Sequence, residues 1–381
     1  MNQKQKKRKN KPLLLLMSFF PFLAGGICGG LIGKEIFSYI ENQPIWVTLL
    51  TVVGLVTIIY AALVLQMVIH EAGHLIFGLL SGYRFSSFRV FNVMWIKQDG
   101  KIRCKRFSLA GTGGQCLMSP PDLVDGKLPV LLYNLGGSIL NLLSSAVFLG
   151  LYVLFSDILV LSAAMMILCV IGIVTALQNG IPMNVGMVNN DGYNAFSLTK
   201  DPEALRAFWI QMKVNEATVR GVRIKDMPAE WFTLPSDEAM QNSMVSVIGV
   251  LACNRLMEKQ KFEEADALME HMLEIESGMV GLHRRLMICD RLYVELITQC
   301  RPERLETMLS KEQKVFMKQM KQYPTVLRTE YAYALLYEKN AAKSEGILAQ
   351  FEVRAKTYPY PSDMITERKL MDIAKQASVS A

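Results

Sequence analysis

Apolar residues are distributed very unevenly along this chain. Four stretches, at about 13–33, 45–68, 129–155 and 158–178, are nearly unbroken runs of Leu, Ile, Val, Ala, Phe and Met. A helix needs about 20 such residues to cross ~30 Å of hydrocarbon, and each stretch reaches that length. The second continues as a helical pattern to Leu80. Past residue 200 the pattern changes. Charged residues occur throughout and apolar positions recur at helical spacing, as in a water-soluble helical domain. The pattern predicts an all-α polytopic membrane domain of about four transmembrane helices over residues 12–200. A linker over 201–240 and an α-helical, soluble domain over 241–381 follow.

One segment between the spans reads differently. Phe88 to Met94 is rich in aromatic and β-branched residues, and Gln98-Asp99-Gly100-Lys101 is a hairpin-turn sequence. With a return strand from Ile102 to Leu109 and the run Gly111-Thr112-Gly113-Gly114 after it, a small β-hairpin insertion is expected at about 84–116. In the soluble part, Phe262-Glu263-Glu264-Ala265 with Leu268 and Met272 resembles the second helix of a tetratricopeptide unit. A second such unit is read from Ala332 onward, with a blurred period. The alternative there is a generic helical bundle.

Charge then orients the spans. The net charge is +7, and Lys4, Lys6, Lys7, Arg8, Lys9 and Lys11 gather at the start with no acid among them. An apolar run follows at once, so residues 1–11 read as a basic cytosolic tail that orients the first span; nucleic-acid binding is not expected. The loop after the second span holds Arg84, Arg89, Lys97, Lys101, Arg103, Lys105, Arg106 and Lys127 against Asp99, Asp122 and Asp125. The positive-inside rule places that loop in the cytosol too. Four crossings leave both termini cytosolic, in what is expected to be a bacterial plasma membrane. Seven cysteines without a CxxC pair argue against a disulfide framework. No Walker loop or dinucleotide fingerprint occurs.

The chemistry concentrates in His70-Glu71-Ala72-Gly73-His74, at the end of the second apolar helix. Residues i and i+4 share a helix face, so two imidazoles can grip one Zn²⁺ while Glu71 takes a proton from an activated water. Ionisable residues so close to a membrane span are functional by default. A catalytic zinc wants a third protein ligand. Asn179-Gly180-Ile181-Pro182 ends the fourth span, and Asp191-Gly192 follows, a carboxylate beside glycine at a helix-breaking turn. Topology puts Asp191 and both histidines at the cytosolic ends of their helices.

This combination resembles the site-2 protease family of intramembrane zinc metalloproteases. The family pairs HExxH on one core helix with an NxxP…DG element on a later one, here Asn179, Pro182, Asp191 and Gly192. Gly136-Gly137 followed by Asn141 resembles the glycine pair and asparagine of its intervening helix. Eight residues separate Pro182 from Asp191, where the family usually has few. The resemblance covers residues 45–200. It implies His70, His74 and Asp191 as zinc ligands and Glu71 as general base. It implies Asn179, Pro182 and Asn141 as substrate-binding positions, with the Gly111–Gly114 edge, including Gly113 and Gly114, receiving substrate as an added strand. The implied substrate is a membrane-spanning protein or peptide, with a further protein partner possible at the helical domain. Two rivals stand beside this reading: a membrane metalloprotease of another family, with a glutamate as third ligand, and an inactive membrane scaffold that binds partners through its helical domain.

Overall fold

The protein is described by a computed structural model covering residues 25–26, 29–30, 32–107, 113–183, 189–275 and 277–380. The basic tail, most of the first expected span, Gly111 and Thr112 lie outside these residues. The chain divides into two units. One takes in Met1–Phe85, Gly113–Cys116 and Pro129–Lys200, and the other Ser86–Thr112, Leu117–Leu128 and Asp201–Ala381.

The first unit is built on three apolar helices, α1 (Ile45–Leu80), α2 (Val130–Leu154) and α3 (Leu159–Gly180). Each is long and apolar enough to cross a membrane. At 36 residues α1 is roughly 54 Å long, well beyond a hydrocarbon core. Pro44 precedes it. Gly82 ends it in a left-handed conformation, φ 84°, while the Tyr83 N–H donates back to the Gly78 carbonyl. All three helices pack on one another. Ala62 of α1 meets Ala163, Met166 and Ile167 of α3 in a small apolar core. Fully buried Gln66 ties the three together, donating to the Leu168 carbonyl at 2.8 Å and accepting from Asn141 at 2.7 Å. The outward faces leave large side chains such as Val53, Leu143 and Val160 more than half exposed. Contiguous apolar surface of that kind marks contact with a membrane or a partner. A short helix, α4 (Asp191–Leu198), packs on α2 and α3.

The expected hairpin is a four-stranded sheet. Strands β1 (Arg84–Val90), β2 (Val93–Gln98), β3 (Lys101–Arg106) and β4 (Gly114–Ser119) lie in the order β3-β2-β1-β4, with β1–β2 and β2–β3 antiparallel. Asp99-Gly100 turns the chain as expected, both residues at positive φ. The stretch read as one strand from Phe88 to Met94 is two, because Phe91 adopts φ 51° and turns the chain between Val90 and Val93, which pair. An aromatic residue in a left-handed turn is uncommon, so composition concealed the turn.

The second unit is otherwise helical. Within the stretch read as linker, α5 (Pro202–Val219) runs for 18 residues, capped by the Asp201 carboxylate on the Ala204 N–H and started by Pro202. Then come α6 (Ser246–Glu258), α7 (Phe262–Glu274), α8 (Gly281–Thr298), α9 (Pro302–Met308), α10 (Lys311–Gln319), α11 (Pro324–Ala332), α12 (Ala341–Thr357) and α13 (Pro361–Ser380). In the order of the chain α5 packs on α6, α6 on α7, α7 on α8 and α8 on α9, while α11 packs on α8 and α12, and α13 returns onto α8, α11 and α5. Arg328 of α11 is fully buried, bonded to Asp290 at 2.6 Å and lying over the Tyr293 ring.

Candidate metal centre

His70 and His74 sit one turn apart on α1, both buried, with ring centroids 4.8 Å apart. They face α2 at a point where the two helices nearly touch. A methyl group on Gly73 would collide with the Gly136 carbonyl and the Gly137 Cα, and one on Gly137 would strike the His70 ring. Glycine at all three positions is what lets the imidazoles lie against the α2 backbone.

Each ring is fixed through its Nδ1. His74 Nδ1 lies 2.8 Å from the Tyr133 carbonyl oxygen, which can only accept, so Nδ1 carries the proton. His70 Nδ1 lies 2.8 Å from Asn141 Oδ1. The Asn141 NH₂ donates to the backbone oxygen and the Oε1 of Gln66, at 2.9 and 2.7 Å, which commits Oδ1 to accept from His70. Both rings therefore present a lone pair at Nε2. Partners of this sort fix tautomer and ring orientation in metal sites.

The third donor comes from the start of α4. Asp191 Oδ2 lies 3.0 Å from His70 Nε2 and 3.3 Å from His74 Nε2, and the two Nε2 atoms are 3.2 Å apart. Two lone pairs and a carboxylate so close repel unless a proton or a metal ion stands among them. The ligand atoms all lie within 4.8 Å of one another, so this donor set fits a single metal ion.

The long Pro182–Asp191 interval does not displace the carboxylate. Asn190 closes its base. Its Oδ1 accepts from the N–H groups of Met183 and Tyr193, both at 2.9 Å, and its amide donates to the carbonyls of Gln178 and Ile181. The Asn190 N–H also donates to the Met183 carbonyl. Residues 184–188, including Gly186, lie outside the described ones. Gly192 packs so closely on Gly180 that a methyl group there would strike its carbonyl oxygen.

Glu71, half-buried, turns toward β4. A Cβ on Gly114 would stand 2.6 Å from Glu71 Oε1, so the strand backbone runs directly past the carboxylate. Tyr133 secures that strand by donating from its hydroxyl to the Cys116 carbonyl, and it stacks on Tyr83 at 4.7 Å.

Of the positions singled out from sequence, His70, His74, Asp191 and Asn141 form one bonded cluster, and Glu71 adjoins Gly114. Gly113 is exposed and lies against Met67. Asn179 is half-buried and donates to the Thr175 carbonyl of its own helix, while Pro182 is exposed. Sequence reading missed three contributors. Gln66 is a polar residue inside an apolar run, a signal that was available. Asn190 immediately precedes a helix start and offers a capping side chain. The Tyr133 contribution is a backbone carbonyl, which leaves no trace in residue identity. No family model matches this chain, and no curated protein or solved structure matches it either.

Proposed function

We propose that the chain is a multi-pass membrane metallopeptidase of the site-2 protease type, which hydrolyses peptide bonds in membrane-held polypeptides. One observation carries the reading: two Nε2 lone pairs, each fixed by a bond at Nδ1, converge with the Asp191 carboxylate while Glu71 stands next in sequence to His70. Two imidazoles and a carboxylate suit zinc or iron, and a neighbouring glutamate with no place in the donor set favours hydrolysis and so zinc.

His70, His74 and Asp191 would hold the ion, which when bound would supply a Lewis acid for the scissile carbonyl and acidify a water. Glu71 would accept a proton from the attacking water as the water oxygen bonds to the carbonyl carbon. It then delivers that proton to the departing amide nitrogen as the C–N bond breaks. Gly114, without a side chain, lets an extended substrate approach the Glu71 carboxylate. An extended chain in an apolar setting needs partners for its N–H and C=O groups, and the β4 backbone is the nearest source. The three apolar helices support placement in a membrane with the centre near one end of α1.

The test compares membrane peptide fragments from cells carrying the native chain with those from cells carrying Glu71→Gln, alongside the metal content of both purified proteins. Fragments that vanish in the variant while metal stays bound support the assignment. Identical fragments in both, or a native protein without metal after gentle purification, would refute it.

A further inference from the structure

The helical unit holds a cavity of about 300 Å³ between α5, α6 and α8, at the small end of ligand-binding cavities (~300–1,000 Å³). Part of its polar lining is already engaged, Asp290 by Arg328 and Thr325 by Glu367, and part is not. α5 contributes Gln211 and Asn215, one turn apart on one face, and α6 contributes Asn254. Among the described residues, the side chains of these three bond to no other residue. α8 adds His283, whose Nδ1 is buried and without a partner, and burial favours its neutral form. Buried polar atoms in native proteins are nearly always paired, so the unpaired His283 nitrogen, beside the half-buried Gln211 and Asn215 and the exposed Asn254, signals a partner that comes from outside.

The lining also defines that partner. Each carboxamide offers both a donor and an acceptor, and neutral imidazole offers one of each. An extended polypeptide presents the complementary series, alternating N–H and C=O groups with no internal partners. Val247 and Leu251 of α6 and Met287 of α8 give the lining an apolar part that suits a compact aliphatic side chain. Among the described residues no lysine or arginine lines the cavity, and Asp290 does, its carboxylate already engaged by Arg328. Phosphates and other anions are therefore disfavoured.

We propose that this cavity is a docking site for a short extended stretch of polypeptide, neutral or carrying a single positive charge, gripped through its backbone by Gln211, Asn215, Asn254 and His283. It is separate from the metal centre and does not depend on the peptidase reading.

The experiment uses the full chain carrying Glu71→Gln in lipid nanodiscs, so that cleavage cannot obscure binding. The probe is a mass-resolved pool of synthetic hexapeptides, each position drawn from Gly, Val, Leu, Ser, Lys and Glu. Retained peptides are identified after gel filtration. The expected result is selective retention of peptides with Val or Leu at one position and no Glu. Retention should fall at least tenfold in the Asn215→Ala/Asn254→Ala double variant and in the cavity-filling Leu251→Trp, with melting temperatures unchanged. Absence of retention, equal retention by the variants, or enrichment of Glu-rich peptides would overturn the proposal. Failure of the peptidase reading would appear separately, in the metal content of the native chain.

Discussion

Asn141 accepts from His70 Nδ1 through its carboxamide oxygen, 2.8 Å away, while the other end of the same group is committed to Gln66. The bond gives one imidazole a definite tautomer and ties it to the point where three helices meet. Asn141→Leu keeps the volume and removes the bond. Loss of such a supporting partner weakens metal binding by roughly 10–100-fold. Competition with a chromophoric chelator measures this directly, and an unchanged affinity would show that the His70 ring is oriented by other means.

Asp191 and Glu71 are expected to separate cleanly. Asp191→Ala removes one of three donors and should drop metal content from stoichiometric to trace. Glu71→Gln should leave it intact and abolish cleavage, because the amide cannot accept the proton. Elemental analysis of both purified variants checks the pair. Equal metal loss in the two would place Glu71 among the ligands instead.

Gly73→Ala introduces a methyl group where the α2 backbone leaves no room. Overpacking of this kind costs about 1–3 kcal/mol. Here the collision is with main chain, so the helices must part and carry the His70 and His74 rings with them. Thermal unfolding in detergent should show the lower stability, together with reduced metal affinity. An alanine variant as stable as the native chain would mean that α1 and α2 lie further apart.

Asp363, near the start of α13, gives the helical unit a pH dependence. Burial and the nearby carboxylates of Glu367 and Glu258 push its pKa up to about 7, from a usual value of 3.8. Between those two values the folded unit keeps a proton that the unfolded chain has released. Stability therefore falls as the pH rises through that interval. Asp363→Asn should raise the melting temperature at pH 8 and change it little at pH 4. A variant that melts like the native chain at both would remove Asp363 as the source.

What could be read in advance divides by the kind of group involved. The i, i+4 pairing of His70 and His74 is a matter of helix geometry and needs no tertiary knowledge. The three long helices follow from uninterrupted apolar runs. Asp201-Pro202 is a capping pair that announces α5, inside the stretch read as a linker. The Tyr133 carbonyl could not be foreseen, since every residue carries one. Nor could the spatial return of the chain at Asn190, which depends on a hydrogen-bond set spanning 12 residues from Gln178.

The clasp between Met183 and Asn190 means that residue counts along the chain and distances in space are uncoupled at this point. The Asp191 carboxylate is placed by the bonds of Asn190 to Gln178, Ile181 and Met183, not by the count of residues in between. A search pattern that demands a fixed gap from Pro182 to the aspartate would overlook proteins built this way.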